Sequence, residues 1–141
     1  MTNLKNYGKG KRLVGASTIT QQVAKNFLLS SEVTFERKIK EAILAIRIER
    51  AFSKKEILEL YLNEIYLGNN SYGIAAAALN YFDKSLDDLT IDEAAFLATL
   101  PKAPSKYNPK TNYERVLDRR NWVLNQMYKN NYLTANEKNK F

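Results

Sequence analysis

The sequence predicts an all-α fold, and three observations carry that expectation. Capping-box signatures, Ser or Thr followed three residues later by Glu or Gln, recur at Thr18/Gln21, Ser53/Glu56, Thr90/Glu93, Thr111/Glu114 and Thr134/Glu137. Between them, apolar residues return three and four positions apart, the period of a helix with one buried face. No stretch of useful length alternates apolar and polar residues as a half-buried strand would.

Taken in order, Thr18 and Gln21 open a first helix in which Ile19, Val23 and Phe27 recur every fourth residue. A longer helix is expected over 35–51, where Phe35, Ile39, Ala42, Ile43 and Ile46 form one apolar stripe. That stripe reads as the packed face, and the charged group opposite it is expected to point outward or into a cleft. Ser53 and Glu56 cap a third helix carrying Ile57, Leu58, Tyr61, Leu62 and Ile65, expected to stop at Gly68 in a left-handed residue. The run from Gly73 to Ala78 is a helix of small residues; such side chains let another backbone approach closely, so this helix is expected to be central. Thr90 caps a helix ended by Pro101 and Pro104, and Thr111 opens one whose stripe is Val116, Arg120, Val123 and Met127. Thr134 starts a last helix that is still under way at Phe141.

With 141 residues the chain is long enough for one domain with a sizeable core. Hydrophobic residues make up 45% and charged residues 26%, values that argue against disorder. The net charge of +7 favours anionic partners without choosing among phosphates, nucleic acid and acidic headgroups. There is no Cys, which excludes disulfides and thiolate metal sites, and no His, which removes the commonest general base and metal ligand. Acid–base chemistry therefore falls to Asp, Glu, Lys or Tyr, and any metal would be a hard ion on oxygen ligands. The basic start is not followed by an apolar run, so it is not a signal peptide, and no window is long and apolar enough to span a membrane.

Four stretches could carry chemistry. GASTITQQVAKN (15–26) sets hydroxyls and free helix-start amides near Lys25; Ser17, Gln21, Gln22 and Lys25 could donate to a phosphate, or form only a polar cap and a solvated face. RKIKE (37–41) rings the Glu41 carboxylate with Arg37 and Lys38 one turn away, beside Lys40. Such a carboxylate could hold a metal, orient cations around a diphosphate, or be an ordinary surface pair. KKEILELYLNEIYLG (54–68) is most simply core, with Asn63 and Tyr66 needing hydrogen-bond partners if buried. RRNWVL (119–124) places Arg120 on an apolar stripe, where it needs a carboxylate or a bound anion.

In this order and spacing, the four stretches resemble the second to fifth motifs of the glycosyltransferase domain of class A penicillin-binding proteins and monofunctional peptidoglycan glycosyltransferases (glycosyltransferase family 51). GIAAAALNYFDK and LPKAPSKYNP resemble the family's connecting segments, so the resemblance covers residues 15–134 of what reads as one partial domain over 1–141, lacking its N-terminal part. It implies a lysozyme-like multi-helix fold. It implies an inverting hexosyl transfer that polymerises lipid II into glycan strands and releases undecaprenyl diphosphate, in cell wall biogenesis.

By the same resemblance Glu41 is the catalytic carboxylate of the third motif. Ser17, Gln21, Gln22 and Lys25 bind the diphosphate; Arg37, Lys38 and Lys40 supply the cationic third motif, joined by Arg47; and Arg120 is the fifth motif's contribution. The resemblance admits a divalent cation, Mg or Mn, at Glu41, and no organic cofactor. Implied partners are lipid II, the growing glycan chain, the membrane surface and a C-terminal transpeptidase domain, with no nucleic acid. The implied location is the extracytoplasmic face of the bacterial cytoplasmic membrane.

Two departures matter. The family's first motif, of the type Glu-Asp-x-x-Phe-x-x-His, carries the general base upstream of GASTITQQ; here the fourteen residues before Gly15 hold no such run. The chain alone is therefore expected to be inactive or nearly so, since losing the base costs about 100- to 10,000-fold. At residues 31–34 (SEVT) the family often has Arg near Val33. Three other readings stand beside this one: a lipid diphosphate- or glycan-binding remnant without catalysis, a glycan hydrolase, for which only Glu41 of the usual two carboxylates can be placed, and a basic helical nucleic-acid binder, which shows no recognition-helix pattern.

Overall fold

The computed structural model describes residues 17–28 and 34–141. Residues 1–16 and 29–33, which include the segment preceding GASTITQQ and the Val33 departure, lie outside the described residues. Among the described residues the fold is all-α: α1 (Ile19–Phe27), α2 (Phe35–Ala51), α3 (Lys54–Glu64), α4 (Ile74–Phe82), α5 (Ile91–Leu97), a 3-10 turn (Leu100–Lys102), α6 (Tyr113–Lys129) and α7 (Ala135–Lys138). The only pairing of extended backbone there is an isolated antiparallel bridge between Tyr66 and Tyr72. The chain forms two compact units, 1–61 and 62–141.

In the first unit α1 packs along α2. Thr18 caps α1 with a full capping box: its hydroxyl accepts from Gln21 N, and the Gln21 side chain accepts from Thr18 N. Thr34 caps α2 through Arg37 N, and Ser53 and Glu56 close a reciprocal cap on α3. Val23 and Ala24 of α1 are fully buried. The burial of α2 is the reverse of the sequence expectation. Glu41, Ala45 and Ile48 form its buried face, whereas Phe35 is 82% exposed and Ile39, Ile43 and Ile46 are about half exposed. The apolar stripe is the open face, and the carboxylate is inside. A buried carboxylate is tolerable only if it is paired, and the cations one turn back on its own helix provide the pairing.

In the second unit α3 ends at Glu64 rather than running to Gly68. Leu67 N donates to Ser71 O and Gly73 N to Ile65 O, so the chain folds back on itself across 65–73. Gly68, Asn69 and Asn70 all adopt positive φ in that turn. Gly73 has φ +79, and a Cβ there would lie 2.4 Å from the Asn63 carbonyl oxygen. Only glycine meets both conditions. The small-residue helix is central as expected: Ala77 and Ala78 of α4 are fully buried beside Leu67, Phe96, Leu97 and Leu100. Ala95, Leu124 and Leu133 form a second buried cluster.

Besides the end of α3, three boundaries differ from the reading of the sequence. α7 closes at Lys138, with Asn139 as its cap, instead of being under way at Phe141. α5 stops at Leu97, ahead of the prolines; Pro101 lies within the 3-10 turn, and the Thr99 hydroxyl donates to Phe96 O. The cap of α6 is Asn112, not Thr111, whose hydroxyl instead accepts from Asn112 Nδ2. Thr134 and Glu137 form the expected box on α7.

Candidate active site

The site is built on α2. Arg37 and Lys38 lie four and three residues before Glu41, which puts both one turn away on the same side of the helix. Arg37 Nε is 3.0 Å from Glu41 Oε1, and Lys38 Nζ pairs with Oε2. The Glu41 side chain is 2% exposed, that of Arg37 10% and that of Lys38 52%. The Arg37–Glu41 pair is therefore interior, while the ammonium of Lys38 is anchored at one end and open to solvent at the other. With both oxygens facing cations, Glu41 is an electrostatic anchor: it keeps two positive groups in place, one of them half open to solvent.

The other residues predicted for the site divide into two groups. Ser17 precedes the α1 cap and is exposed; Gln22 is half-buried, and Lys25 is exposed in the last turn of α1. Gln21 uses its side-chain oxygen in the capping box, leaving its amide nitrogen to donate elsewhere. Since α1 packs along α2, these residues and the Glu41 group belong to one unit. Lys40 is turned away from Glu41 and pairs with Glu36 at 2.7 Å, and Lys40's hydrogen bond and charge hold the exposed Glu36 carboxyl below its ordinary value. Arg47 is exposed further along α2.

Arg120 belongs to the second unit. Its Nε and Nη2 donate to Asn121 Oδ1, Nη2 also reaches Phe141 O, and Nη1 stands 3.7 Å from Asp92 Oδ2. The partner that its place on an apolar stripe demanded is thus Asp92. The sequence reading missed Asp92 because an acid in the first turn of a helix already has a sufficient explanation in the helix dipole.

The donor set around Glu41 does not fit a divalent cation. Both carboxylate oxygens face positive groups, so a metal there would meet Arg37 and Lys38 at close range. Among the described residues no three acidic side chains converge in a manner that could hold a metal. Nor is any helix among them long and apolar enough to cross a membrane.

Residues 2–128 match the family described as Transglycosylase. The chain is 58% identical over 132 residues to penicillin-binding protein 1A of Rickettsia felis, covering 94% of this chain and 17% of that protein. It is 58% identical over 132 residues to penicillin-binding protein 1A of Aquifex aeolicus, covering 94% and 18%. The chain thus spans about a sixth of the length of these relatives. Among solved structures it resembles penicillin-binding protein 1A from Haemophilus influenzae, with 38% identity and a TM-score of 0.60 over 92% of this chain and 16% of that one. The helical architecture is accordingly that of a lysozyme-like glycosyltransferase domain. Four motifs in order, the helices that carry them and the match over nearly its whole length place this chain in the transglycosylase family of peptidoglycan glycosyltransferases.

Proposed function

We propose that the chain is a glycan-polymerising module that receives the diphosphate of lipid II and lets undecaprenyl diphosphate depart as the glycosidic bond forms with inversion. One observation carries this reading: a buried carboxylate that holds an arginine and a half-exposed lysine in fixed positions on one helix. A leaving diphosphate gains negative charge as its bond to the anomeric carbon breaks. Preorganised cations stabilise that charge more in the transition state than in the ground state, which is the condition for catalysis. Lys38 and Lys25 contact the phosphates in this reading. Gln21, Gln22, Ser17 and the amides at the start of α1 add neutral donors. Glu41 is a positioning residue that acts through Arg37 and Lys38. Charge neutralisation rests on side chains and not on a metal held by Glu41, so chelating divalent ions leaves diphosphate binding by the protein unchanged.

The exposed face of α2 supports a membrane surface as the second partner. Phe35, Ile39, Ile43 and Ile46 lie open on a helix that also carries the exposed cations Lys40, Arg47 and Arg50. An apolar stripe edged by positive charge suits an anionic lipid interface, where a lipid-linked substrate and the growing glycan chain would be met, on the extracytoplasmic side. The length of the relatives leaves room for a transpeptidase domain in the same polypeptide.

The test is lipid II presented in detergent to the 141-residue chain. Calorimetry is expected to show binding, and gel analysis few or no glycan strands, because the chain's sequence lacks the first-motif carboxylate. Absence of binding overturns the substrate; robust strands overturn the claim of inactivity.

A further inference from the structure

We propose that the cleft between α5 and α6 binds a saccharide ring. The cleft holds about 300 Å³, at the lower end of small-ligand sites, and its lining includes Phe82, Phe96, Tyr113, Asp92, Glu93 and Arg120. One wall is aromatic. Phe96 is buried and meets Phe82 edge-on at 5.5 Å and 78°, fixing the half-buried Phe82 ring. Tyr113 is the first residue of α6 and is 61% exposed, so the fold does not use its ring.

The polar wall has one loosely matched pair, partly open to solvent. Glu93 is occupied: Lys84 donates to both of its oxygens and Thr90 N donates to Oε2. Asp92 Oδ1 accepts from the Thr90 hydroxyl at 2.6 Å. Asp92 Oδ2 and Arg120 Nη1 face each other at 3.7 Å, beyond hydrogen-bonding distance. The other nitrogens of Arg120 already donate to Asn121 and Phe141.

A group that satisfies this split pair must accept from the guanidinium and donate to the carboxylate at once. A hydroxyl does both. A carboxylate ligand would be repelled by Asp92, and an ammonium by Arg120. Hydroxyls on a ring with an apolar C–H face, opposite exposed and edge-fixed aromatics, describe a pyranose. The choice of an N-acetylated amino sugar as the occupant rests on the glycosyltransferase reading above. The cleft then holds a unit of the glycan strand, in the unit of the protein that does not contain Glu41.

The probe is chitotetraose, titrated into the 141-residue chain by calorimetry and amide-resolved NMR. The unmodified chain is expected to bind it, with shifts centred on the start of α5 and α6. Tyr113→Ala and Asp92→Asn should each weaken binding about fivefold or more. Tyr113→Phe should retain it, as should Tyr132→Ala, which removes a tyrosine 78% exposed outside the cleft. Circular dichroism checks that each variant keeps its helices. Failure of the chain to bind chitotetraose, or equal binding by Tyr113→Ala and Asp92→Asn, overturns the proposal. Neither result touches the diphosphate reading, which fails separately if lipid II does not bind.

Discussion

Glu41 shows how much a single side chain can depend on its neighbours. A carboxylate with 2% of its side chain exposed is costly without partners, and Arg37, itself only 10% exposed, would be costly without Glu41. Glu41→Ala is therefore expected to destabilise the protein by about 3–5 kcal/mol, and Arg37→Ala similarly, in urea titrations followed by circular dichroism. Lys38→Met should cost under about 1 kcal/mol, because that ammonium is half in water. Equal costs for all three would mean that the interior pair is not what holds the group together. Glu93 gives a pH test. Hydrogen bonds from Lys84 and Thr90 hold its carboxyl below the ordinary value, so the folded form binds its proton less readily than the unfolded form. That stabilisation is full above the unfolded value and is lost as pH falls through the lower, folded value. Melting temperature should fall from roughly pH 5 to pH 3, and the Glu93 share of that fall should shrink in Lys84→Met, where only the donation from Thr90 is left.

Among the elements, α2 separates what periodicity can show from what it cannot. The spacing of Phe35, Ile39, Ala42, Ile43 and Ile46 located the helix and its two faces, but not which face turns inward. Periodicity reports two chemically different sides; burial also depends on whether the polar side can neutralise itself, and Arg37 and Lys38 let Glu41 do so. The exposed stripe predicts that the chain pellets with anionic phospholipid vesicles and that Ile39→Asp with Ile43→Asp abolishes this without loss of helix. Unchanged pelleting would remove the lipid interface from the account. The 65–73 turn makes a backbone prediction. Gly73→Ala brings a Cβ against the Asn63 carbonyl at positive φ and should destabilise the protein by about 2 kcal/mol or more, seen as a lower melting temperature. Asp83 ends α4 at φ 54, and Asp83→Gly should raise stability by about 0.5 kcal/mol.

For the molecule as a whole, the all-α class and most helix starts were legible because capping boxes are local: Thr18, Ser53 and Thr134 bond residues three positions on. The end of α3 was not, since it is fixed by Gly73 lying against Asn63, a contact between residues ten apart. The grouping of Arg37, Lys38 and Glu41 was legible for the same local reason as the caps. The counterpart of Arg120 was not, because Asp92 is on a different helix and reaches it only through tertiary packing. What the parts have in common is charge placed before a ligand arrives, and one titration tests that most directly. Undecaprenyl diphosphate in micelles is added to the unmodified chain and to its Lys25→Ala and Lys38→Ala forms, with heat followed at fixed salt. Saturable binding that weakens roughly tenfold in each variant is the predicted result; no binding, or affinities unaffected by either substitution, would contradict it.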